Sequence, residues 1–220
     1  MKLRYLSYML QNKNPAYGRD FSEIQIAPLK SIAKADSCNT FRLQMENHCG
    51  THVDCPAHFF QDGKSVTDYH LEEWIFQSPF VLNLPLREDS MVFPEDVKRV
   101  PEGSDLILIQ SGFSGLRGTK KYSFSNPGVA VSTGLWLRKN RPLARALGLD
   151  FISISPYQNR EEGRKAHRVF LEPLADSQPI LLIEDMDLSS DLSGLSSVWV
   201  VPLRMQGLDS APCSVIGVFS

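Results

Sequence analysis

Several things are missing from this chain, and each absence excludes something. It has no surplus of charge: 23 Lys and Arg against 25 Asp and Glu leave a formal net charge of −2, so nothing electrostatic recruits nucleic acid. The densest basic stretches, Arg117 to Lys121 and Arg138 to Arg145, carry no interleaved aromatics on one face and read as solvated surface. No apolar run approaches the ~18–20 residues of a membrane-crossing helix, so no membrane association is expected. The opening MKLRYLSYMLQNKN is too short and too polar in its apolar part for a signal peptide, which makes the cytoplasm the expected location. Cysteine is scarce: Cys38, Cys49, Cys55 and Cys213 are irregularly spaced, with no CxxC pair. They read as reduced thiols, mostly buried, rather than as a disulfide framework. There is no Ser/Gly-rich linker, no charge block and no repeat of 20–50 residues, so residues 1–220 are expected to form a single domain.

What is present builds a core. At 42% hydrophobic residues the chain can bury a sizeable one. Short β-branched runs bounded by turn residues read as strands: Pro79–Leu84, Asp105–Gln110, Asp150–Ser155, Ile180–Glu184, Val198–Leu203 and Cys213–Phe219. Helical patterns are fewer. Ser132 is a candidate N-cap for a helix through Leu135–Leu137 that Pro142 would end. Arg160–Leu171 has mixed charges around Ala166, Val169 and Phe170, as a one-sided helix does. Pro94–Val100 fits a short helix with proline in its first turn. Strands alternating with helices indicate an α/β domain with a mixed sheet.

The chemistry concentrates in His48-Cys-Gly-Thr-His52-Val-Asp54-Cys-Pro-Ala-His58. Three of the five histidines lie in these eleven residues, where even scattering would place about a quarter of one. With an aspartate among them, a divalent metal site is the leading reading. Along an extended chain residues at even separation share a side, so a strand would present His48, His52 and Asp54 together. A helix would also pair positions 48 and 52, as in HExxH metalloproteases. Here, however, Cys49 stands where the glutamate base would be, Gly50 weakens a helix by about 1 kcal/mol, and Pro56 stops it. The extended reading is preferred. Two imidazoles and a carboxylate leave open coordination positions, and water held at such a metal has its pKa lowered to about 7. His58, beyond Pro56, is placed to transfer protons rather than to bind metal.

Plainer readings compete. A lone histidine such as His70 is surface or satisfied core. A structural zinc site using Cys49 or Cys55 is disfavoured, because in a strand those odd-numbered positions face away from the histidines. A Cys55–His58 nucleophile lacks any helix N-terminus or cation cluster to lower the thiol pKa.

The segment resembles the HxGTHxDxPxH signature of the cyclase family, which contains bacterial kynurenine formamidase and isatin hydrolase, and every fixed position is present. The likeness extends to the opening Tyr5-Leu-Ser-Tyr-Met-Leu, although Tyr8 stands where a histidine is often found. It continues through His58-Phe-Phe-Gln-Asp-Gly-Lys-Ser-Val, Pro127-Gly128 before Trp136-Leu137, Gly148-Leu-Asp150-Phe-Ile-Ser, Ala166-His167-Arg168-Val169 and the closing Leu208-Asp-Ser-Ala-Pro212. The resemblance implies a swivelling β/β/α fold with a mixed sheet, assembled as a homodimer or homotetramer. It also implies a site of one or two divalent ions: His48, His52 and Asp54 match ligands of the first, Asp54 can bridge, and His167 and Glu184 match the rest. His58 matches the catalytic histidine. The stretch after His167 is longer than usual, with residues 172–179 inserted, so Glu172 rivals Glu184. Glu184 is preferred because it ends a strand-like run.

Together these readings predict a hydrolase of small amides that works through metal-activated water with His58 as general acid/base. Zinc is the first choice of metal, manganese the next, and magnesium is possible. An aryl formamide such as N-formylkynurenine is the first substrate guess, followed by an isatin-like lactam or another cyclic amide or ester. A non-catalytic metal-binding protein of the same fold is the rival outside enzymology. Phe59, Phe60, Tyr69 and Trp74 could line an aryl pocket or serve as core.

Overall fold

A computed structural model describes residues 1–174 and 176–220; Ala175, within the inserted stretch 172–179, lies outside the described residues. Among these, nine strands make one mixed sheet: β1 (Lys2–Tyr5), β2 (His52–Asp54), β3 (Ile75–Phe76), β4 (Pro79–Asn83), β5 (Leu106–Gln110), β6 (Ala146–Leu149), β7 (Leu181–Glu184), β8 (Leu195–Pro202) and β9 (Ser210–Phe219). Their order is β3-β8-β9-β2-β7-β6-β5-β4, with β1 also paired to β9. Strands β4 to β7 run parallel; the remaining pairs are antiparallel. One side of β9 is divided between β2, at Ser210–Pro212, and β1, at Ile216–Phe219.

The parallel strands read as near-continuous apolar runs because both their faces are covered. Leu106 and Leu108 point into one core with Val53, Ile183, Val198 and Val215. Ile107 and Ile109 point into the other, where Leu147 and Leu182 meet Leu137 of helix α1 (Val131–Asn140) and Ala166 and Phe170 of helix α2 (Arg160–Leu171). A fully buried Leu or Ile contributes about 1.5–3 kcal/mol, so these two layers set the stability of the sheet.

Helix α2 has the bounds that its sequence pattern predicts. Its buried residues Gly163, Ala166, His167, Phe170 and Leu171 recur at helical spacing, so His167 lies inside the apolar stripe and faces the sheet. Gly163 is required there: an added Cβ would lie 2.1 Å from Ser155 Oγ and 2.6 Å from Ser155 Cα.

Three expectations need correction. Asp150–Ser155 is not a strand; the strand is the preceding Ala146–Leu149, and the 150–155 backbone bends instead. Its polar groups serve as anchors, with Ile154 N–H donating to the Glu184 side chain and Phe151 O accepting from Asp185 N–H. The N-cap of α1 is Ala130 rather than Ser132, because Glu162 reaches across from α2 to accept the Val131 N–H at 3.0 Å. The short helix after Phe93 stops at Val97. In addition, two hairpins ahead of β2 carried no recognised strand signal: Lys13–Ala16 with Arg19–Glu23, and Gln25–Lys30 with Thr40–Gln44.

Candidate metal centre

Strand alternation assembles the site. On β2, Val53 enters the core on one face of the sheet, which turns His52 and Asp54 to the face covered by α2. On the adjacent β7, Leu182 pairs with Asp54 and Glu184 with His52, placing Glu184 on that same face. Helix α2 supplies His167 from above. The resulting distances are short: His52 Nε2 lies 3.6 Å from both Asp54 Oδ1 and Glu184 Oε2, and His167 Nε2 lies 3.7 Å from Asp54 Oδ2 and 3.5 Å from Glu184 Oε1.

His48 arrives by a different route from the expected strand. The extended conformation holds only for His52–Asp54, whereas His48 lies in a turn that ends at Gly50, whose φ of +67° suits glycine. The turn has a use: the Gly50 carbonyl accepts from His52 Nδ1 at 2.8 Å. His48 Nδ1 still comes within 3.2 Å of Asp54 Oδ1. Among the described residues, two trios capable of holding an ion share the Asp54 carboxylate: His48–His52–Asp54 and Asp54–His167–Glu184. Glu172 is the residue that ends α2, partly exposed and outside both trios.

The donor set fits a cation. His52 Nδ1 faces the Gly50 carbonyl and His167 Nδ1 the Gly163 carbonyl, at 2.8 and 2.9 Å. A carbonyl only accepts, so both Nδ1 atoms carry the proton, and both Nε2 lone pairs are aimed at carboxylates. Lone pair against carboxylate is repulsive unless a proton or a metal ion intervenes. Asp54 is 1% exposed, and among the described residues its Oδ1 finds no hydrogen-bond partner, a costly state for a buried oxygen unless a cation satisfies it. The protonation equilibria reflect the same strain. Burial alone would lower the His52 pKa, but the Glu184 and Asp54 carboxylates outweigh it and push it up to about 9. Burial opposes ionisation of Asp54 and Glu184 too, yet the surrounding imidazoles hold both below the usual carboxylate range.

His58 stands beside these trios, its ring 4.5 Å from that of His48. Its Nδ1 lies 2.7 Å from Asp209 Oδ2, and the other Asp209 oxygen takes the Asn47 amide at 2.8 Å. Asp209 is the polar partner that reading residue types missed, although it lies in the closing Leu208-Asp-Ser-Ala-Pro212 segment. The site opens into a cleft of about 260 Å³ lined by Tyr17, Phe59, Ile152 and Ser153, with Arg19 and Glu46 paired at its rim. Of the four aromatics singled out, Phe59 lines this cleft. Phe60 packs on the helix-side core, and Tyr69 and Trp74 pack against each other in the opposite one, their ring planes tilted by 55°. Tyr8 is elsewhere, its ring over the Arg117 guanidinium. Cys55 is fully buried, and burial pushes its thiol pKa up, which removes it as a nucleophile.

Comparison with known proteins agrees with this architecture. The sequence matches the Cyclase family over residues 5–156, which includes the segment from His48 to His58. It is 26% identical to Cyclase-like protein 3 of Arabidopsis thaliana over 194 residues, covering 84% of this chain and 68% of that one. It is 25% identical to the kynurenine formamidase of Bacillus cytotoxicus over 183 residues, covering 83% and 81%. The fold superposes on isatin hydrolase A from Labrenzia aggregata with a TM-score of 0.79 at 17% identity, over 98% of this chain and 93% of that one. The chain belongs to the Cyclase family and carries the mixed-sheet fold of its hydrolases.

Proposed function

We propose that this protein is a metal-dependent hydrolase of small, non-peptide amides, with His48, His52, Asp54, His167 and Glu184 as metal ligands and His58 as the proton-transferring residue. The observation that carries the reading is the joint one: two ligand trios sharing Asp54, with a His58–Asp209 pair at their edge. A divalent cation bound there supplies Lewis-acid polarisation of a carbonyl and acidifies water. Three imidazoles with two carboxylates favour zinc, then manganese, over magnesium.

The chain's own residues do the rest. Asp209 accepts from His58 Nδ1, which leaves Nε2 as the proton-accepting atom. That nitrogen takes a proton as water adds to the carbonyl and returns it to the departing nitrogen. Glu184 is held still by Ser153 Oγ at 3.1 Å and Ile154 N at 2.8 Å, and His167 by Ser155 and Gly163. Such anchoring keeps the ligands from rearranging between substrate and transition state.

A cleft of about 260 Å³ walled by Tyr17 and Phe59 suits one aromatic ring. The first substrate class is therefore an aryl formamide such as N-formylkynurenine, which the kynurenine formamidase relative supports. The second is a lactam, supported by the fold likeness to isatin hydrolase A over 98% of the chain. The test is to strip the protein with chelator and assay both substrates before and after adding zinc or manganese. Turnover that disappears and returns with metal on either substrate supports the reading and selects the class. Activity indifferent to chelation overturns it.

A further inference from the structure

The basic stretch Arg138 to Arg145 is not the solvated surface that its composition suggests. Lys139 is exposed, and Arg145 has a counter-charge in Asp105 at 3.5 Å. Arg138 and Arg141, by contrast, are each 8% exposed. Among the described residues neither of these two guanidiniums pairs with a carboxylate, and each spends its bonds on neutral oxygens. Arg138 donates from Nη1 to Val169 O at 2.7 Å, and from Nε and Nη2 to Ser177 Oγ and O at 2.9 and 2.8 Å. Arg141 donates to the carbonyls of Val100, Asn140 and Lys98 at 2.6, 2.7 and 2.8 Å.

A buried cation is normally paired, and here two are not. The C-terminal pole of α1 contributes about half a negative charge, which offsets only part of the two positive ones. Burial pulls the Arg138 pKa down, and Glu172 and Asp176, which pull it up, do not make up the loss.

Both arginines line one cavity of about 500 Å³, within the size range of small-molecule sites. Part of its wall is the inserted stretch, through Leu174, Asp176, Ser177 and Gln178. Pro142, Leu174 and Ile180 give it an apolar side. A guanidinium carries five N–H donors; the bonds above use three on each arginine, so two apiece remain for a ligand. The cavity shares no lining residue with the metal centre.

We propose that this cavity binds a phosphoryl dianion, free or as a monoester whose organic part lies along the Pro142/Leu174/Ile180 side, with Arg138 and Arg141 as its donors. A dianion matches two unpaired charges, which a single carboxylate does not, and planar guanidiniums suit phosphate oxygens. Asp176, on the same wall, opposes the ligand and so tunes its affinity. The proposal rests on neither the metal nor the hydrolase reading.

Isothermal titration of the full chain with inorganic phosphate and with phenyl phosphate tests it. Because Arg138 and Arg141 also hold the backbone, the variants are placed on exposed residues of the wall, Leu174→Glu and Asp176→Asn. The expected result is saturable binding, weakened about tenfold by Leu174→Glu and tightened by Asp176→Asn, as a unit charge a few ångströms from a dianion requires. Affinity should be the same before and after chelator treatment, which separates this site from phosphate held at the metal centre. Tighter binding of phenyl phosphate supports an ester as the occupant, and equal binding supports inorganic phosphate. No saturation by either at millimolar concentration overturns the proposal, as does binding that both variants leave unchanged or that chelation abolishes. Succinate binding more tightly than both overturns the phosphoryl chemistry.

Discussion

Asp209 stands behind His58, its Oδ2 2.7 Å from His58 Nδ1, and its other oxygen is occupied by Asn47 at 2.8 Å. A carboxylate held from both ends fixes the imidazole tautomer and leaves Nε2 facing the site. His58→Ala is therefore expected to lower kcat by about 10²–10⁴, the usual contribution of general acid–base catalysis, with the metal content per chain unchanged. Asp209→Asn should lower kcat less and displace the pH–rate profile, and adding it to His58→Ala should cost nothing further. Steady-state kinetics paired with metal analysis decides. Loss of metal in His58→Ala would make it a ligand, a role that the His48–His58–Asp209 grouping also allows.

The carboxylates separate the ligand readings. Asp54→Asn should abolish stoichiometric metal binding, since both trios depend on that side chain. Glu184→Gln should lower affinity by at least tenfold, whereas Glu172→Gln, at the end of α2, should leave it unchanged. Isothermal titration with zinc makes the comparison. An effect of Glu172→Gln equal to that of Glu184→Gln would refute the assignment.

The pH dependence has a definite sign. His52 has a pKa raised to about 9 in the metal-free protein, so its contribution to stability is complete below its unfolded pKa, near 6.5, and is lost as pH rises towards 9. Melting of the stripped protein should thus occur at lower temperature at pH 9 than at pH 6.5. Metal binding has the opposite trend, because a ligand imidazole must be neutral. Zinc affinity should rise up to tenfold per pH unit over that window for each proton displaced. Calorimetry in buffers of different ionisation enthalpy would show the released protons; a flat affinity would exclude His52 as a ligand.

Helix α2 must sit close for His167 to reach the sheet. Gly163→Ala places a Cβ within 2.6 Å of Ser155 backbone and side-chain atoms, so helix or loop has to move. An overpacking cost of about 1–3 kcal/mol is expected, together with weaker metal binding because Gly163 O and Ser155 Oγ both contact His167. Thermal unfolding with and without zinc reads both effects. A variant with wild-type stability and affinity would show that the close approach is not needed.

A buried ion pair lies beside the ligands. Arg117 donates twice to Asp185, at 2.9 and 2.8 Å, and Asp185 is fully buried directly after Glu184. Arg117→Met removes the counter-charge of that carboxylate and leaves it the Tyr122 hydroxyl, which donates to its Oδ1, as a hydrogen-bond partner; breaking a buried pair in this way costs up to about 3–5 kcal/mol. Adding Asp185→Asn should recover part of the loss in chemical denaturation. No recovery would mean that Arg117 acts through packing on Tyr8 instead.

Part of the candidate site was legible in the amino-acid order. The even spacing of His52 and Asp54 and the helical pattern of Arg160–Leu171 are short-range patterns, legible because strand and helix periods are local properties of the backbone. His167 and Glu184 joined the expected ligand set through the resemblance to the cyclase family, Glu184 being preferred to Glu172 because it ends an apolar run. For the same reason α2 has its expected limits and the sheet strands fall close to their apolar runs. What depended on tertiary structure is everything set by groups distant in the chain. His48 reaches the site through a turn at Gly50 and not along a strand; Asp150–Ser155 bends because its backbone must anchor Glu184 and Asp185; Glu162 of one helix caps another. Asp209 meets His58 across 151 residues, and only the pairing of β9 with β2 puts it there. Local periodicity can say which way a side chain points. Which partner it meets is decided by strand order, and strand order is a property of the folded whole.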